Sequence, residues 1–403
     1  MELLSPAGDF AALNAAIMNG ADSVYLGIVG FNLRAHHGNF QVKDLKDAVK
    51  RCHDSNVKLY VCTNTIMKDK DIENLKKVMP HIKSADADAI IASDMGALSV
   101  ARENSVKVHM SVQANISNLE ALKLYKELGV NRAILSRELS LNEIKLIKNK
   151  SPIEVEVFVH GAMCLAVSGR CFLSSYFHDK SANCGECLQP CRREWKLVPQ
   201  DGLKTENEYL EIDHTQEDGY HLLSPRDICM VEYLPELIES GIDAFKIEGR
   251  SRAADYVATV TRVYREAIDT YLNRNWGVNE NWISDLKKVY NRGFDTGFYF
   301  KSPYKTSEYN QSTHMKKDIA LISNYYSHVS AAELILHDDL DLGDELIITG
   351  PTTGSITLKA ESMQINGENV VKAFKGERVA VHVKDKVRRN DIVYKRIKKD
   401  VSK

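Results

Sequence analysis

Along the first 270 positions, short apolar blocks alternate with amphipathic stretches. The blocks are ELLSPAG (2–8), DSVYLGI (22–28), KLYVCTN (58–64), DAIIASD (88–94), KVHMSVQ (107–113), RAILSRE (132–138), IEVEVFVHG (153–161) and AFKIEGR (244–250). Each has the length of a strand buried on both faces, which reads as a nearly continuous apolar run. Between them lie helical patterns. In NLEALKLYKELG, Leu119, Leu122, Leu124, Tyr125 and Leu128 fall near one face. Ser140 followed by Glu143 marks a capping box. Strands alternating with helices predict parallel βαβ units. Eight of them match a (β/α)8 TIM-like barrel; a doubly wound open sheet would alternate too, and the count favours the barrel.

Two departures divide the chain. The seventh and eighth blocks are separated by a long insertion, residues 160–243, where a barrel would place one helix. Beyond a connector at 276–316, helical and then loop-like, the pattern changes again. DIALISNYY, AAELILHD, DELIITG, GSITLKAESMQI, ERVAVHV and DIVYKRI are short alternating runs separated by turn residues such as Gly343–Asp344 and Asn366–Gly367. They predict a small antiparallel β-barrel over 317–403. The expected organisation is a barrel over 1–275 carrying the insertion, the connector, and the C-terminal β-barrel.

Composition adds little until the cysteines are counted. The 403 residues are 44% hydrophobic and 27% charged, with a net charge of −2, so no global field marks a nucleic-acid binder. The first residues lack a basic, apolar leader, and no run is long enough to span a membrane, so a cytoplasmic location is expected. Five of the eight cysteines nevertheless fall within Cys164–Cys191. In a reducing compartment such clusters are metal-ligating or redox-active rather than disulfides. Six residues separate Cys164 from Cys171, fifteen separate Cys171 from Cys187, and three separate Cys187 from Cys191. Only the last pair has the tight spacing of structural zinc. Spacing alone leaves an iron–sulfur cluster and zinc with a redox-active cysteine both open, and CGEC (184–187) also reads as a CxxC motif. Cys52, Cys62 and Cys229 fit buried core positions.

The stretch EVFVHGAMCLAVSGRCFLS (156–174) resembles the signature of collagenase-like peptidase family U32, at Glu156, Phe158, Gly161, Cys164, Gly169, Cys171 and Ser174. ELLSPAGDFAALNAAIMNGADSVYLG at the start and FKIEGR (245–250) extend the resemblance over nearly the whole chain, and MSVQAN (110–115) with ILSRELSLNEI (134–144) is similar to the family's tRNA-hydroxylation branch. The resemblance implies a 4Fe–4S cluster held by Cys164, Cys171, Cys187 and Cys191. It also implies oxygen-independent, prephenate-dependent 5-hydroxylation of the tRNA wobble uridine, with tRNA as partner and a second protein of the same family as a further one. Zinc is the alternative metal. A peptidase and a cluster-stabilised tRNA-binding scaffold are the alternative functions. The C-terminal segment resembles the β-barrel second domain of translation elongation factors, and Lys384, Lys386, Arg388 and Arg389 form a basic run that could meet phosphate.

Barrel chemistry collects at strand C-terminal ends. That rule selects His160, Glu248 and Gln113 as candidate catalytic residues, and Asn64, Arg137 and Arg250 as candidate substrate-binding residues, beside Asp94. Arg170 joins them from the cysteine loop. Arginine suits a dicarboxylate such as prephenate because its planar fork matches a carboxylate. An ion pair of Arg137 with Glu138, or of Arg250 with Glu248, is the plain alternative. No GxSxG or HExxH motif occurs. A peptidase would therefore need a dyad such as His160 with Cys164, whose thiol is the better candidate for a metal. The loop Asn32–Phe40, with Arg34, His36 and His37, is expected at the mouth, Arg34 facing the pocket.

Overall fold

The computed structural model describes residues 1–33, 39–167, 170–195, 221, 223–301, 306–307 and 309–399. The eight apolar blocks form β1 (Glu2–Ala7), β2 (Ser23–Gly27), β3 (Lys58–Thr63), β4 (Ala89–Ala92), β5 (Val108–Met110), β6 (Arg132–Ile134), β7 (Glu154–Gly161) and, after a short β8 (Asp227–Cys229), β9 (Ala244–Ile247). All eight pair in parallel, and β9 closes the ring by pairing with both β7 and β1. The barrel is filled by Leu4, Tyr25, Tyr60, Cys62, Ile91, Ile134 and Phe158. A second, larger core lies between the strands and the helices outside.

Those helices are α1 (Phe10–Met18), α2 (Leu45–His53), α3 (Asp69–Ser84), α4 (Met95–Glu103), α5 (Leu119–Glu127), α6 (Leu141–Lys148), the short α7 (Leu173–His178) and α8 (Leu234–Glu239), α9 (Ala254–Leu272) and α10 (Glu280–Lys288). Side chains at the strand-to-helix turns start several of them. Asp9, Asp94, Asn118 and Ser140 each accept an N–H from the first turn of the helix that follows, satisfying a donor the helix cannot. Ser140 and Glu143 form the expected capping box. On α5, Leu122 is buried while Leu124 is exposed, so the apolar stripe is narrower than the sequence suggested.

The insertion and the connector each add one short strand to the sheet. β8 pairs antiparallel with the end of β7, His160 opposite Cys229, and β10 (Phe294–Asp295) pairs with β8. The C-terminal runs form β11 (His314–Tyr326), β12 (Ala331–Leu336), β13 (Leu340–Asp341), β14 (Glu345–Gly350), β15 (Gly354–Lys359), β16 (Met363–Ile365), β17 (Glu368–Asn369), β18 (Lys372–Ala373), β19 (Arg378–His382) and β20 (Ile392–Lys398). Eight of these make an antiparallel sheet in the order β15-β14-β20-β11-β12-β19-β16-β17, with β13–β18 a separate pair, around one apolar core. This unit packs on α1 and α9. Asn14 Nδ2 and Arg51 Nη1 both donate to Pro351 O (2.5 and 2.9 Å), and Lys316 pairs with Asp255 at 2.5 Å.

In the N-terminal half of the barrel a charged network is enclosed. Arg132 pairs with Glu2 (2.7 Å), Glu154 (2.7 Å) and Glu156 (3.2 Å), and Glu156 also takes Lys246 at 3.0 Å. Tyr60 and Ser23 donate to Glu2, each at 2.8 Å. Burial alone would raise the Glu2 pKa, but the Arg132 guanidinium outweighs it and holds the carboxyl far below the ordinary range. Glu156 and Lys246, both in the signature stretches, thus sit inside the barrel rather than at its mouth.

Candidate functional site at the barrel mouth

Asn64 stands just past β3, buried to 6% exposure. Its Nδ2 donates to Ser111 Oγ and Gln113 Oε1, both at 3.2 Å, and Ser111 also donates to Gln113. The backbone carbonyl of Asn64 accepts from Ser93 at 3.0 Å. Its side-chain Oδ1, by contrast, is buried and has no donor among the described residues. A buried carbonyl without a hydrogen bond costs about 1–3 kcal/mol, so the Asn64 amide is held here at a cost to the fold. Asn64 lines a cavity of about 360 Å³ with Gln113, Ser93, Asp94, Asn183, Arg170 and Phe172.

The cysteine loop forms the opposite wall, and Asn183 joins the two. Its backbone carbonyl accepts from Ile66 N (3.3 Å), just beyond Asn64, and its Oδ1 accepts from Cys171 N at 2.9 Å. The loop also carries Phe172 and Tyr176, exposed to 77% and 83%. Large rings held in water on a cavity rim are unusual unless they meet a partner.

Cys164 is exposed, and Cys171, Cys187 and Cys191 are half-buried. Burial raises the Cys191 pKa; the Arg192 guanidinium opposes this, and the thiols of Cys164, Cys187 and Cys171 raise it further by repulsion. All three therefore lie within electrostatic range of Cys191. Arg192 braces the loop from beneath, donating to Ser224 Oγ (3.0 Å), Pro225 O (2.7 Å) and Met163 O. One zinc ion would draw its ligands to about 2.3 Å from a single point. Among the described residues no three His, Cys, Asp or Glu side chains converge so closely. Four cysteine thiols, three of them within electrostatic range of the fourth, are the donor set that a four-iron cluster takes. Cys184 is exposed, whereas Cys52, Cys62 and Cys229 are buried. Burial pushes the thiols of Cys52 and Cys229 up to about 12.

The remaining sequence-selected residues divide. Arg250 is buried, donates to Asn32 Oδ1 at 3.0 Å, and lies 5.9 Å from the Tyr25 ring centre. Gly27 leaves it room: a Cβ there would come within 2.3 Å of its Nη1. Arg137 stacks at 4.0 Å on Phe158 and donates to Ala162 O at 3.0 Å, while its buried Nε has no acceptor among the described residues. Tyr25 and Phe158 both point into the barrel. Glu248 accepts from Tyr25 Oη at 3.3 Å, and its carbonyl crosses so close to Gly161 (φ 103°) that a Cβ there would meet it at 2.4 Å. Asp94 is engaged as the cap of α4.

His160 is the correction. Alternation along β7 would aim it into the mouth with Phe158. A register shift between Phe158 and His160 breaks the alternation, placing His160 opposite Ile247. The ring packs among Tyr256, Tyr264 and Phe294, 5.4–6.1 Å between centroids, with Tyr264 Oη 3.4 Å from Nδ1. Burial pushes its pKa down to about 3, so it is a neutral packing residue and no base for Cys164. Arg34, His36 and His37 lie outside the described residues. Asn183 and Arg192 were not found from sequence, since a lone Asn and an Arg beside a cysteine carry no spacing signal.

The chain is similar along most of its length to known proteins. Peptidase family U32 matches residues 8–309. An uncharacterized protease of Methanocaldococcus jannaschii is 46% identical, covering 98% of both chains. A collagenase of Porphyromonas gingivalis is 38% identical over 98% of this chain and 97% of its own. A tRNA hydroxylation protein of Bacillus subtilis is 34% identical over 90% of this chain and 86% of its own.

Proposed function

The chain belongs to peptidase family U32, and from that premise we propose that it hydroxylates tRNA, forming 5-hydroxyuridine at the wobble position with prephenate or a related dicarboxylate as co-substrate. The observation that carries this reading is the cavity shared by the barrel mouth and the cysteine loop, lined by the amides of Asn64, Gln113 and Asn183. A pyrimidine edge bears N–H and C=O groups that side-chain amides suit. The Gln113 amide beside Asn64 offers complementary groups, and Phe172 supplies a ring for stacking. Arg170 lines the same cavity. With Arg137 and Arg250 held over the Phe158 and Tyr25 rings, it provides guanidinium groups for two carboxylates. Cys164, Cys171, Cys187 and Cys191 would hold a 4Fe–4S cluster, which when bound supplies one-electron transfer beside the cavity.

A peptidase reading needs a nucleophile with a base, and His160 is turned away from that task. The deciding experiment is nucleoside mass spectrometry of tRNA from a strain lacking the gene. Loss of 5-hydroxyuridine, restored by the wild-type gene and not by Cys191→Ala, is expected. Unchanged tRNA overturns the reading. Protein purified without oxygen should be brown, with about four irons per chain.

A further inference from the structure

Resting on the RNA reading above, we propose that the cleft between the barrel and the C-terminal sheet is a phosphate-binding track for the RNA backbone, distinct from the mouth cavity. The cleft has a volume of about 330 Å³. Arg252 from the β9–α9 turn, Lys288 at the end of α10, and Lys316, Arg396 and Lys399 from the C-terminal sheet and its end all line it, against Asp255 as the one lining carboxylate. The acids behind them are shared: Asp285 takes Arg262 (2.7 Å) as well as Lys288 (2.9 Å), and Glu345 takes Arg396 at 2.5 Å. Adding Asp285 and Glu345 to Asp255 still leaves the five lining cations in excess of three acids.

Arg252 shows best what the cleft is built for. Its guanidinium carbon sits over the Tyr290 ring, 3.5 Å from the centre, and it makes no ion pair among the described residues. Stacking fixes the plane and leaves the N–H edges free, the geometry that suits a phosphate. Residues 253 and 255, also in the lining, belong to the start of the 19-residue α9, whose N-cap Ala253 has no side chain to satisfy the first-turn N–H groups. The His314 pKa is lowered by burial first and then by Arg396; Glu345 opposes this, and Lys288 and Lys398 add to the lowering.

Position ties the track to the mouth. Arg250 lies over the barrel and Arg252 in the cleft, two residues on, so their Cα atoms are at most about 7 Å apart. Successive RNA phosphates have comparable spacing, and a base entering the mouth carries its backbone across this rim.

The test is binding of unmodified tRNA to the full chain, followed by fluorescence anisotropy at several salt concentrations. Arg252→Glu and Lys399→Glu should each weaken binding by about tenfold or more. Each should also lower the slope of log K against log salt by about one. Arg389→Glu, on the exposed basic loop, should stay within about twofold. Lys399→Glu guards against misfolding of the Arg252 variant, and thermal melting of both checks it. Wild-type binding that both variants retain overturns the track and leaves the RNA reading standing; no tRNA binding by the wild type sinks both. Saturable binding of inorganic phosphate that the variants lose, with tRNA binding intact, would make the cleft a small-anion site and also overturn the proposal.

Discussion

In the N-terminal half of the barrel, Arg132 answers three carboxylates and Lys246 a fourth contact, so every charge in that network has an opposite charge beside it. In the C-terminal half, Arg137 and Arg250 donate to neutral oxygens, and among the described residues Arg137 Nε has no acceptor and Asn64 keeps a buried oxygen without a donor. Both halves belong to the same eight strands. Buried polar groups in the first half are closed on one another, and those in the second are left incomplete among the described residues. The contrast separates roles that the signature stretch mixes: Glu156 and Lys246 hold the barrel, while Gly161 and the cysteines build the mouth.

Substitutions should break the two halves differently. Arg132→Ala leaves Glu2 and Glu156 with one cation each, Lys58 and Lys246, and should cost about 3–5 kcal/mol in urea unfolding. A loss below about 1 kcal/mol would mean that the network is not what steadies the barrel. Asn64→Ala should instead lower tRNA modification by about 10- to 100-fold, the equivalent of one buried hydrogen bond, with unfolding changed by less. Equal losses of stability and activity would erase the distinction.

The pH dependence refines the contrast through His160. Its folded pKa is depressed from 6.5 to about 3, so the unfolded chain binds the proton more readily. Its contribution is whole above about pH 6.5 and is lost as pH falls toward 3, at up to about 1.4 kcal/mol per pH unit. His109, likewise lowered by burial, acts in the same direction. His160→Gln should flatten the slope of unfolding free energy between pH 6 and 4 by one such contribution. Tenfold loss of tRNA modification in that variant at pH 7.5, with folding intact, would return His160 to the site. The smallest effect belongs to Cys184→Ser: exposed and outside the ring around Cys191, it should leave iron content and stability (within about 0.5 kcal/mol) unchanged.

The eight barrel strands were legible because parallel strands buried on both faces read as unbroken apolar runs. The C-terminal runs were legible because alternation marks half-buried strands. The two short added strands were not, since DIC and FD are too brief to show any period. The arginines and amides at the mouth followed from their place after each strand. His160 fits the same rule and fails it, because one shifted residue pair in β7 reverses its side and leaves no trace in the sequence. Asn183 and the cleft around Arg252 arise from segments far apart in the chain, which periodicity cannot bring together.

Asn183 makes one wall of the cavity answer to the other. The same residue accepts from Ile66 on the barrel side and from Cys171 on the loop side. If ordering this residue is what links them, occupancy becomes mutual: whatever factor a group on the cysteines adds to affinity in the cavity, a molecule in the cavity must add to retention of that group. Substrate would then protect the cysteines from chelators, and stripping them would loosen the grip on substrate, without either ligand touching the other.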